Sequence, residues 1–158
     1  MKTKVLFLFF TLSVVFLSCG KNEPEVESKK GVFKVEVTNS ENVKFFNEII
    51  VLQITDDKVD NVVVTNTGGF ETVLSTVASK TLQTTRKGSA AFSLQTQQAV
   101  SSISLSLGFL FDISSADSET ELYPFTCTIK VFKDNKLIET KTHTVNKNTI
   151  ETFTSFYN

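Results

Sequence analysis

The side chains with chemistry to offer are two thiols, one imidazole, a cluster of carboxylates and a recurrent set of threonines, in a chain of 158 residues. Cys19 is the one whose surroundings define a reaction. Met1-Lys2-Thr3-Lys4 is a short basic start, and residues 5–17 form an apolar run interrupted only by Thr11 and Ser13. Ser18, Cys19 and Gly20 close the run with small residues. Positive, apolar, small is the order of a secretory signal. The run is too short for a spanning helix, which needs about 20 residues.

Phe16-Leu17-Ser18-Cys19 resembles the lipobox of bacterial lipoproteins, with Phe16 standing where Leu is commonest. The resemblance implies that the Cys19 sulfur receives a diacylglyceride, that the signal is cut before it, and that the new amine is acylated. More than one acyl chain makes such an anchor stable. Gly20 is not the Asp associated with inner-membrane retention. Lys21 followed closely by Glu23, Glu25 and Glu27 is similar to the surface-export signal of Bacteroidota lipoproteins. The implied location is the outer membrane, lipid-anchored and on the cell surface, with the periplasmic face as the alternative. Residues 1–18 then read as the signal, 19–30 as a polar tether reaching roughly 15–20 Å, and 31–158 as one domain.

Lipid on Cys19 leaves Cys127 without a disulfide partner. Cys127 alternates in phase with Phe125, Ile129 and Val131, so it reads as a buried thiol acting as a small hydrophobe. His143 is the only histidine, too few for a metal cluster, and it reads as an exposed strand residue among threonines. Asp112, Asp117, Glu119 and Glu121 crowd one loop. Loop carboxylates can serve calcium, which takes six or more oxygens, but this spacing follows no calcium motif and a solvated loop is the plain reading. No nucleophile elbow, phosphate-cradling glycine loop or paired-cysteine motif is present. The expectation is a non-enzyme without a cofactor. A net charge of −1 offers no basic face for nucleic acid.

The threonines recur at one parity. Thr126 and Thr128, then Thr140, Thr142 and Thr144, then Thr152 and Thr154 fall on three successive strand-like stretches. In a meander they would form one flat, hydroxyl-rich face, a candidate ligand surface; the plainer reading is a solvated face built from a good strand former. Sugar binding commonly uses exposed aromatics. Trp is absent, which leaves Tyr123, Tyr157, Phe45 and Phe46, each better suited to core or rim.

These residues must be positioned by strands. Residues 32–37 and 101–111 alternate with period two, and 48–56 is apolar on both faces, as in a central strand. Gly68-Gly69 between two β-rich runs predicts a hairpin. Residues 79–87 read as a weak edge strand, and 125–131 with 137–145 as a hairpin turning at Lys133-Asp134-Asn135-Lys136. The approach to Cys127 (Tyr123-Pro124-Phe125-Thr126-Cys127) is similar to strand F of immunoglobulin domains, although the partner cysteine and core tryptophan are missing and Phe125 stands at the corner tyrosine. The expected fold is all-β, a single Ig-like antiparallel β-sandwich of about seven to nine strands. The expected function is a non-catalytic binding or assembly accessory for a protein partner. The alternative is a glycan-binding accessory lipoprotein of a surface polysaccharide-uptake system.

Overall fold

The computed structural model describes residues 29–115, 123–147 and 151–158. It is a sandwich of two five-stranded antiparallel sheets. The strands are β1 (Phe33–Asn39), β2 (Phe46–Thr55), β3 (Val64–Asn66), β4 (Glu71–Ser75), β5 (Ser79–Lys87), β6 (Ala91–Thr96), β7 (Ser102–Phe111), β8 (Phe125–Lys133), β9 (Lys136–Val145) and β10 (Glu151–Tyr157). The first sheet runs β3-β6-β1-β8-β9 and the second β10-β7-β2-β5-β4. The all-β sandwich is the expected class, with ten strands where seven to nine were expected.

Period-two alternation builds both layers. Phe33, Val35 and Val37 of β1 and Phe125, Cys127, Ile129 and Val131 of β8 point inward and are buried. Ile50, Leu52 and Ile54 of β2 meet Ile103, Leu105, Leu107 and Phe109 of β7 in the second sheet. Each large apolar side chain taken fully out of water contributes roughly 1.5–3 kcal/mol. Phe125 ties the layers together: its ring lies 4.8 Å from Phe46 and 5.0 Å from Phe109, both edge-on, a favoured aromatic geometry.

Only β4–β5 and β8–β9 are joined within a sheet; every other connection crosses the sandwich. Three expectations change as a result. Gly68-Gly69 does not turn a hairpin, because β3 and β4 belong to different sheets; the glycines serve a crossover. β5 is not an edge strand, since it pairs with β2 on one side and β4 on the other. β8, β9 and β10 are not a meander, because β10 pairs with β7 in the second sheet. The β8–β9 hairpin forms as expected, with Asp134 and Asn135 at φ 51° and 64°, the left-handed pair that a tight two-residue turn requires.

Candidate functional site

Among the described residues the two open sheets end in four unpaired edges, and unpaired edges invite other strands. Two are protected here. β3 is three residues long. β9 carries charges aimed at the interior: Lys141 Nζ lies 3.1 Å from Glu139 and donates to Ser155 Oγ at 3.0 Å, and a bulge interrupts its pairing at Val131/Phe132. On its inner face β10 meets β9, where the His143 ring stacks on Phe153 at 3.8 Å between centroids. His143 is therefore half-buried rather than an exposed strand residue. The Tyr157 hydroxyl beside Glu139, helped by Lys141, holds that carboxyl below its usual range. Burial, reinforced by Glu139, pushes the phenol up to about 12.

β4 is longer than β3 and lacks the inward-turned ion pair of β9. All five of its residues are exposed. Val73 and Leu74 are 57% and 54% exposed, and Val77 just beyond is 64% exposed. Glu71 is its only charge. A bulge between Thr72 and Leu74 inserts Val73 as the extra residue. Beside the strand lies an open groove of about 330 Å³ lined by Gly69, Glu71, Val73, Gln83, Thr84 and Thr85.

The segment that delivers β4 to this position is built by polar contacts. Asn66 Oδ1 accepts from the amides of Gly68, Gly69 and Phe70 at 3.3, 3.1 and 3.4 Å. Arg86 Nη1 donates to the Gly68 carbonyl at 3.1 Å. Gly68 has no room for a side chain, because a Cβ would meet Phe70 and Arg86 at 2.6 and 2.8 Å. Gly69 stands at φ +68°, a conformation that favours glycine.

Arg86 is itself held from inside the sandwich. Its Nε lies 2.9 Å from Oε2 of Glu48, whose side chain is wholly buried, and its guanidinium sits 4.7 Å over the Phe92 ring. Asn39 Nδ2 donates to Glu48 Oε1 at 2.8 Å and to the Ser89 carbonyl at 2.9 Å. Burial raises the Glu48 carboxyl above its ordinary value, against the opposing pull of Arg86, the Ser89 backbone and Asn39. Cys127, opposite Asn39 in the ladder, is fully buried and free. Burial first, and then the charge of Glu48, pushes its thiol up to about 12. That makes it the inert core thiol expected from its phase, since the thiolate is the reactive form.

Sequence reasoning missed Glu48 and Arg86. The signal was present: Glu48 shares the inward parity of Phe46, Ile50 and Leu52, and Arg86 that of Leu82 and Thr84.

The other sequence candidates scatter. Thr126, Thr128, Thr140, Thr142 and Thr144 share the outer face of the first sheet, with Thr126 opposite Thr144 and Thr128 opposite Thr142. Thr128 and Thr142 are hydrogen-bonded at 3.2 Å. Thr152 and Thr154 lie on β10, in the other sheet. The seven threonines therefore do not form one surface. Asp112 pairs with Lys87 at 2.7 Å and accepts from the Ser114 amide and hydroxyl at 3.1 and 2.6 Å. Asp117, Glu119 and Glu121 lie outside the described residues, as does Cys19. Among the described residues no three metal-ligating side chains gather. Tyr123, Tyr157 and Phe46 are buried and Phe45 packs against the core, so none is a sugar platform. Phe156, 64% exposed, is an aromatic that sequence reasoning passed over. Among the described residues no helix is long and apolar enough to cross a membrane.

No known family profile matches the chain, and no curated protein matches it. Solved structures share its fold. A DUF4425 family protein from Bacteroides ovatus superposes with a TM-score of 0.59 at 16% identity, over 80% of this chain and 95% of that one. A calcium-bound protein from Parabacteroides distasonis gives 0.59 at 15% identity, over 87% and 99%. A DUF4425 domain of unknown function from Bacteroides vulgatus gives 0.57 at 18% identity, over 81% and 95%. All three come from Bacteroidota, and at these identities the likeness is one of fold.

Proposed function

We propose that the chain is a membrane-anchored extracytoplasmic lipoprotein, held by lipid on Cys19, whose sandwich is a non-catalytic binding or assembly accessory that docks a protein partner along β4. The observation that carries this reading is the contrast among edges. β9 turns charges inward, β3 is too short to template a strand, and β4 presents an exposed, nearly uncharged ladder edge. Strand addition to such an edge draws affinity from main-chain hydrogen bonds and selectivity from alternate side chains. Here Val73, Leu74 and the groove beside Glu71 and Gln83 supply the side-chain contacts.

Two variants test the two halves. Cys19→Ala is expected to abolish metabolic lipid labelling and to free the chain from membranes; unchanged labelling refutes the anchor. Leu74→Lys is expected to stay anchored while losing the protein that co-purifies with the parent from cross-linked membranes. Full retention of that protein by the variant refutes docking on β4.

A further inference from the structure

The segment that leads into β1 is fastened to the β8–β9 turn. Asp134 Oδ1 accepts from the Val32 amide at 2.9 Å, and the Asp134 amide donates to the Val32 carbonyl at 2.8 Å. Lys133 Nζ donates to the Lys29 carbonyl and lies 5.3 Å over the Phe33 ring. The same turn carries exposed aliphatic side chains, Leu137 and Ile138, 48% and 44% exposed. Register explains them. Val131 pairs with Glu139 and Phe132 with Leu137, so Ile138 is the extra residue of the bulge. Leu137 shares the outer face of the first sheet with Phe132 and Lys34, and the Lys34 ammonium sits 5.6 Å over the half-buried Phe132 ring. Lys133 and Lys136 stand opposite each other at the turn. Asp134, the acid between them, accepts from the Val32 amide. Asp56, Asp57 and Asp60 stand at the same end, but on the β2–β3 connection, which leads to the opposite edge of the first sheet, and Asp56 and Asp57 pair with Lys30.

We propose that the β8–β9 turn is a membrane-contact wedge, with Leu137 and Ile138 entering the headgroup–acyl boundary of the bilayer that holds the lipid of Cys19. This rests on the lipid anchor of the preceding reading and is independent of docking on β4. Cys19 precedes Lys29 by ten residues, roughly 15–20 Å for a flexible chain. The anchor therefore keeps the turn beside the surface at high effective concentration, where a weak contact suffices. Residue type selects lipid as the partner. The acyl boundary takes the branched methyl groups, while the stems of Lys133 and Lys136 lie along apolar surface and keep their ammonium groups among the phosphates. The turn belongs to the β9 edge, which meets β10 through the His143–Phe153 stack. β4 is the far edge of the β10 sheet, so a molecule resting on the turn leaves β4 open to a partner.

Fluorescence quenching in vesicles tests the assignment. The lipidated chain, carrying bimane on Ile138→Cys, is incorporated into phosphatidylethanolamine–phosphatidylglycerol vesicles whose acyl chains are brominated near the headgroup. Cys127 is fully buried and does not compete for the label. Bimane at position 138 is expected to be quenched at least about twofold more than bimane on Thr142→Cys, further along the same strand. Leu137→Glu should bring quenching at 138 down to the level at 142. Because Leu137 is exposed, its replacement leaves the core intact, and an unaltered melting curve verifies this. Flotation separates the two ways of failing. A chain that floats with the vesicles but is quenched no more at 138 than at 142 overturns the wedge and leaves the anchor standing. A chain that carries no lipid and does not float overturns the anchor, and the wedge with it. Quenching at 138 that is indifferent to Leu137→Glu also overturns the wedge. So does a dimer in sedimentation that Leu137→Glu dissolves, since the turn would then meet a second copy of the chain.

Discussion

At the scale of single residues, the buried Glu48–Arg86 pair joins the core to the segment that leads into β4. The Glu48 carboxyl is raised above its ordinary value because burial outweighs the attraction of Arg86 and the donated hydrogen bonds. The folded state then holds this proton more tightly than the unfolded state. Stability from the group is accordingly highest below the ordinary carboxylate value and falls as pH rises toward the raised one. Glu48→Gln removes that slope. In urea unfolding, the difference between variant and parent should move in the variant's favour as pH rises through this window; a flat or opposite trend contradicts it. Arg86→Ala is the asymmetric partner experiment. It leaves Glu48 buried without a counter-charge and should cost about 3–5 kcal/mol near neutral pH. It also removes the donor that holds the Gly68 carbonyl, so backbone amides of the β3–β4 crossover should exchange faster.

At the scale of elements, most strands could be read from alternation, because inward and outward positions differ in polarity along β1, β7 and β8. Pairing was less legible. β5 resembled an edge because its outward positions are polar, yet Leu82, Thr84 and Arg86 face inward between β2 and β4. Gly68-Gly69 resembled a hairpin because glycine marks both tight turns and tight crossings, and local sequence cannot say which sheet the next strand joins. The threonine array failed for the same reason, since parity is a property of one strand and a shared face is a property of the sheet. The open β4 edge had no sequence signal, because an edge is defined by what fails to pair beside it. Glycine chemistry does separate by position. Gly88→Ala would place a Cβ 2.0 Å from the Val43 carbonyl oxygen, a backbone clash costing about 1–3 kcal/mol. Gly69→Ala meets open space but must hold φ +68°, at roughly 1–2 kcal/mol. Chemical denaturation should show both losses, with only Gly69→Ala disturbing the β4 edge.

At the scale of the whole molecule, the point where the chain joins the sandwich is fixed. Gly31 exchanges backbone hydrogen bonds with Val100 at 3.0 and 2.9 Å, and Lys30 pairs with Asp56 and Asp57 at 2.7 and 3.1 Å. Burial acts to raise the Asp56 carboxyl, but Lys30, the Ser101 hydroxyl and the Asp57 amide together hold it below its usual range. This latch adds stability above the ordinary carboxylate value and loses it as pH falls through the lowered one. On the lipoprotein reading, the segment before Gly31 leads to the membrane, and the β8–β9 turn sits at the same end, where the Asp134 carboxylate accepts from the Val32 amide at 2.9 Å. The central claim is that such a tethered sandwich meets a protein through β4. The direct measurement is photo-crosslinking on intact cells with a benzophenone side chain at position 74, and at position 142 as the control on the other sheet. The account predicts a protein adduct from 74 and none from 142. No adduct from 74, or the same adduct from both positions, would contradict it.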